Sequence, residues 1–180
     1  MRKILSASIS MLLTVGFFTL PLSADDKDTA VRFEGGIGVI PVSNIIVTTV
    51  GTPPVQNVTV NPNIVRGVEP AGQIWVIDKL QARVKANGDI KVDGKGLVLG
   101  GGNNAGRATG QRVIATLICE AAAPFTQRST NPAGVPLTND GDFEINDVLE
   151  PWPSADCPSP MLLIRNAANL GWFAVGILDD

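Results

Sequence analysis

The sequence predicts an all-β fold: a single antiparallel β-sandwich, following an N-terminal signal peptide. Three observations carry this. Residues 73–99 alternate as one long β-hairpin. Short β-branched runs recur along the chain with Gly, Pro, Asn and Asp between them, enough for eight to ten strands. Helical periodicity fails everywhere after the first 24 residues.

In chain order, Arg2 and Lys3 precede an apolar stretch from Ile4 to Leu20, broken by Pro21 and closed by Leu22-Ser23-Ala24. That is the layout of a secretory signal cut after Ala24. The domain division is therefore signal peptide at 1–24 and β-sandwich at 25–180. No cysteine stands at the cut, so no lipid anchor is indicated, and cleavage leaves no stable membrane anchor.

Residues 31–42 read as a first strand, bent where two glycines interrupt Val31, Phe33, Ile37 and Val39. Short strands follow at 45–50 and 55–60, separated by Gly51-Thr52-Pro53-Pro54, and another near 64–68 between Pro-containing turns. In the long hairpin, Ala86-Asn87-Gly88 make the corner. A two-residue Asn-Gly turn would set apolar residues against charges along the whole ladder. A three-residue loop with Gly88 left-handed repairs this. Val84 then faces Ile90, Ala82 faces Val92 and Leu80 faces Gly94, while Gln81 meets Asp93 and Arg83 meets Lys91 on the charged side. Extended to the open end, the same register pairs Ile77 with Leu97 and Trp75 with Leu99 on what had been the charged face. That end is apolar on both sides. Either another segment covers the second face, or Trp75, Ile77, Leu97 and Leu99 form a contact patch.

Residues 100–110 form a Gly- and Asn-rich loop. Arg112 to Cys119 is a strand, and 121–136 is a loop anchored by Phe125. A second hairpin turns at Asn139-Asp140-Gly141. Pro151, Pro153, Pro158 and Pro160 bracket a rigid loop holding Trp152 and Cys157. Residues 161–165 and 172–177 are the last strands.

Composition bounds the chemistry. The mature chain carries 12 basic and 17 acidic residues, net −5, which disfavours nucleic acid and anionic membranes. Cys119 and Cys157, an even pair in an exported chain, predict one disulfide. There is no histidine and no tyrosine. The commonest general base, the Ser-His and Cys-His pairs and the usual zinc and copper ligands are therefore missing. No cofactor is expected, and the reading is non-enzymatic. Carboxylates alone remain for a hydrolase, and nothing in the sequence joins two of them across a cleft. Asp140, Asp142, Glu144 and Asp147 suggest a calcium loop as an alternative. With Gly141 at the glycine of an EF-hand loop, however, Pro136 and Thr138 occupy ligand positions. Gly100-Gly101-Gly102-Asn103-Asn104-Ala105 fits a loose dinucleotide fingerprint but precedes a strand, not a helix.

Four stretches resemble a group of small exported bacterial proteins with no assigned activity. They are Trp75-Val76-Ile77 leading to Asn87-Gly88, residues 129–137 (STNPAGVPL), Gly141-Asp142-Phe143-Glu144-Ile145, and Leu162-Leu163-Ile164-Arg165-Asn166 with Gly171-Trp172-Phe173. The resemblance implies an exported all-β domain and brings no site residues. In layout, Cys119 ending a strand and Cys157 in a late loop also resemble immunoglobulin-like sandwiches, an analogy of architecture that carries no function. The whole reads as a secreted or periplasmic binding or structural module, with a protein partner or self-assembly.

Overall fold

The computed structural model describes residues 28–152 and 156–179. The expected signal peptide at 1–24 lies outside them. Within them the protein is all-β, with antiparallel strand pairing and no helix. The strands are β1 (Thr29–Gly38), β2 (Val42–Val50), β3 (Val55–Pro62), β4 (Trp75–Val76), β5 (Lys79–Lys85), β6 (Asp89–Lys95), β7 (Val98–Leu99), β8 (Arg112–Ile118), β9 (Arg128–Ser129), β10 (Val135–Pro136), β11 (Phe143–Val148), β12 (Met161–Asn166) and β13 (Trp172–Leu178).

One nine-stranded sheet runs β10-β8-β12-β13-β1-β5-β6-β11, with β9 also paired to β8. Its two ends approach each other. The Ser129 N–H in β9 donates to the Glu150 carbonyl at 2.8 Å just after β11, and Glu150 N–H returns the bond at 2.9 Å. The sheet is thus nearly closed, like a barrel. The expected two-sheet, immunoglobulin-like layout is not what this pairing draws. The reason is the pair β9 and β10. Too short to make a second sheet, they lie between β8 and β11 and carry the first sheet round towards itself.

The hairpin β5–β6 sits in the register that parity selects: Val84 opposite Ile90, Ala82 opposite Val92, Leu80 opposite Gly94. Val84, Ile90, Val92 and Leu80 are buried, and their neighbours face water. Gly88 has φ of 93°, and the ring of Trp152 lies where a β-carbon there would sit. Trp152 therefore folds back onto this corner, its indole N–H donating to the Ala86 carbonyl at 3.0 Å. Strands β8 and β12 are buried on both faces, which their continuous apolar runs require.

At the open end the expectation needs correction. Trp75 pairs with Leu99 and Val76 with Val98, as the register predicts, but in a separate ladder, β4–β7. Both strands break at one level, after Lys95 and before Lys79, where Gly96 takes φ of 66° against Asp78. The break swaps the faces. Trp75, Leu97 and Leu99 turn into the core and Ile77 is half-buried, while Ile74 and Val76 turn out. The proposed contact patch is therefore core. Trp75 stacks on Phe173, with ring centroids 4.0 Å apart. Gly38 lies where β4 crosses β1, and a side chain there would strike the Trp75 carbonyl.

Cys119 and Cys157 form the expected disulfide, with Cα atoms 4.4 Å apart. Polar ties secure the loops around it. The Arg66 guanidinium donates to the carbonyls of Ile118 and Ser159. The Arg128 guanidinium donates to Glu120 at 2.9 Å, and Thr126 N–H adds a second bond to the same carboxylate at 3.1 Å. Arg128 thereby holds the Glu120 carboxyl well down, from its ordinary 4.5 to about 2. The depressed value means this pair stabilises the fold fully above about pH 4.5, and the contribution is lost as pH falls towards 2. We expect Glu120→Gln to cost about 1–2 kcal/mol at neutral pH. The variant and parent should converge by about pH 2, as read from urea midpoints at several pH values; a pH-independent difference would contradict the pairing.

Candidate interaction surface

The strands β2 and β3 form the part of the molecule that packing does not explain. Among the described residues they pair only with each other, from Val50 opposite Val55 to Val42 opposite Pro62. Every residue of the two strands is exposed except Asn61. The result is an arm standing off the barrel.

Its base is tied down. Asn63 N–H donates to the Pro41 carbonyl at 2.9 Å, and its side-chain amide donates to the Ile40 carbonyl at 3.0 Å. The Asn63 carbonyl in turn accepts from the Trp172 indole at 3.0 Å. Above this the side-chain amide of Asn61 donates to Asn44 at 2.7 Å. Gly51, with φ of 81°, leads into Pro53-Pro54 at the tip.

The cross-strand register divides the arm into two unlike faces. Opposed residues share a face. Ile45 opposite Val60 and Val47 opposite Val58 make one face, a two-by-two array of β-branched side chains with Thr49 and Gln56 beyond it. Asn44 opposite Asn61, Ile46 opposite Thr59, Thr48 opposite Asn57 and Val50 opposite Val55 make the other face, polar except for Ile46 and the valine pair at the tip. The four members of the apolar array are 54–60 % exposed.

This arrangement is costly in water. A two-stranded ribbon without a third layer is marginal alone. Covering four half-exposed Val and Ile side chains is worth about 1 kcal/mol each, about 4 kcal/mol per arm. Both outer edges also leave backbone groups open to a further strand. Edges in soluble proteins are commonly guarded by charge; residues 35–65 contain no Asp, Glu, Lys or Arg.

The other candidates read from the sequence do not converge. Asp142 accepts from the Gly96 N–H at 3.1 Å, and Asp147 accepts from the N–H groups of Asn131 and Val148, each at 2.8 Å. Glu144 faces Lys91 at 3.3 Å, and Asp140 lies in the exposed turn. Among the described residues no three acids or cysteines gather as a metal site. A shallow groove of about 800 Å³ lies on the outer face of β1, β5, β6 and β11. Arg32, Arg83 and Lys91 lie in one cross-strand row there, and Glu34, Gln81 and Asp93 in the next. Asp93 opposes Glu144, with Lys91 bridging them at 3.8 and 3.3 Å. The surface is open and of mixed charge. The glycine-rich loop leads into β8, not a helix, so it presents no helix N-terminus to a phosphate.

No protein-family model, curated protein or solved structure matches this chain. In the sequence, residues 45–50 and 55–60 read only as short strands, with nothing in their pattern to set an arm apart from the packed strands. The available signal was the missing charge from 35 to 65, combined with a Pro-Pro corner at its centre.

Proposed function

We propose that this chain is an exported, non-enzymatic interaction module, in which the barrel-like sheet is a rigid mount and the β2–β3 arm engages a protein partner. On this reading residues 1–24 are the export signal and the mature domain works in the periplasm or outside the cell. The observation that carries it is the arm's uncovered Ile45, Val47, Val58 and Val60 array on a ribbon that nothing else in the described fold packs against. The lack of histidine and of any free cysteine supports the non-enzymatic part of the reading.

Pro41 and Asn63 are already hydrogen-bonded across the base, so a short glycine link can replace residues 42–62. This deletion should leave the melting of the barrel within about 0.5 kcal/mol of the parent. It should also abolish capture of partners by the tagged protein from cell envelope and medium. Equal capture with and without the arm would place the interaction elsewhere; loss of the fold would show that the arm is part of the core.

A further inference from the structure

We infer that the partner of the arm is a second copy of this chain, two arms packing with their Ile45, Val47, Val58 and Val60 faces against each other in an isologous dimer. This rests on the arm being the interaction element.

The occupant is chosen by what the arm offers and what it lacks. Residues 42–62 contain no charged and no aromatic side chain. An arm built for a lipid surface would carry cations for the headgroups and Trp or Tyr at the interface. A partner selected by charge would need complementary charge, and the arm has none to give. What remains is a dry array of β-branched side chains, the kind that lines the inner faces of two stacked sheets.

That array is self-complementary. Its two cross-strand pairs, Ile45 with Val60 and Val47 with Val58, are similar in size and both wholly apolar. A two-fold rotation therefore sets the array against its own image at the usual sheet separation of about 10 Å, leaving no polar group of the array unpaired. The opposite faces, Asn- and Thr-bearing apart from Ile46 and the Val50–Val55 pair at the tip, stay in water, where Asn61 and Asn44 already satisfy each other. The contact is small: each arm brings four array side chains, far fewer than the about 20–30 residues a side of a stable interface, so the dimer belongs among weak, concentration-dependent associations.

Sedimentation velocity of the purified exported chain, from about 0.1 to 100 µM, tests this. The parent should pass from monomer to dimer within that range. Val47→Glu buries a charge in the interface and should weaken the dimer by about 100-fold or more, with barrel melting unchanged. Mixing Val47→Glu with Val47→Lys should restore it, because the opposed charges meet. A parent that stays monomeric throughout, or a Val47→Glu chain that dimerises as the parent does, overturns the inference. A monomer whose arm still captures a different envelope protein overturns the second copy but keeps the arm as interaction element. No arm-dependent association of any kind overturns both.

Discussion

Trp75→Ala should lower the stability of the fold by about 3–5 kcal/mol, the cost of removing a large aromatic side chain from a packed core. Trp75 is 4 % exposed and Phe173, on which it stacks, is 2 % exposed. Its backbone N–H donates to the Val39 carbonyl at 3.1 Å, so the chain at this residue joins β4 to the segment just beyond β1. Truncation leaves a cavity between backbone segments that the Gly38 crossing holds close together, so collapse into the void is restricted. At roughly 2–4 °C per kcal/mol for a domain of this size, the melting temperature should fall by about 10 °C. Val76→Ala, one residue on but facing water, should change stability by no more than about 0.5 kcal/mol. A Trp75 variant as stable as the parent would mean that the break at Asp78 and Gly96 does not turn this ladder inward.

Opening the disulfide should have an effect of similar size. Cys119 and Cys157 are 38 residues apart in sequence. The loop-closure relation assigns such a cross-link about 4 kcal/mol, acting mainly on the unfolded chain. Cys119 is also buried at the end of β8, beside the Arg66 and Ser159 ties, so the folded geometry of this corner does not depend on the bond alone. We therefore expect the Cys119→Ala/Cys157→Ala double variant to fold to the same structure, with a urea midpoint lowered in proportion. An unchanged midpoint would show that the loop is equally restricted in the unfolded chain without the bond.

Much of this architecture was legible because it rests on parity. Side chains on a strand alternate, so only one corner at Ala86-Asn87-Gly88 places Val84, Ala82 and Leu80 with Ile90 and Val92, and the ladder obeys it. The cysteine pair was legible from its count and the expected compartment. The fate of Trp75 was not, because period-two reasoning carries a face along a strand only until the strand breaks. The break is marked by no more than Asp78 and Gly96 on opposite strands. Barrel-like curvature was hidden for a related reason: β9 and β10, with two residues each, leave almost no pattern, yet they bring the ends of the sheet together. The arm was hidden most completely. A run such as Asn44-Ile45-Ile46-Val47 has the same appearance whether both faces are buried by the protein's own layers or by another molecule, and only the three-dimensional placement separates the two cases.

Amide hydrogen exchange, followed across residues 42–62 at dilute and at concentrated protein, tests most directly that the arm works covered. The doubly buried strands β8 and β12 serve as the internal reference. A bare two-stranded ribbon opens readily, so its amides should exchange far faster than the reference in dilute solution and slow by about tenfold or more when concentrated. Arm amides that exchange at one rate at every concentration, while β8 and β12 remain protected, would contradict the account.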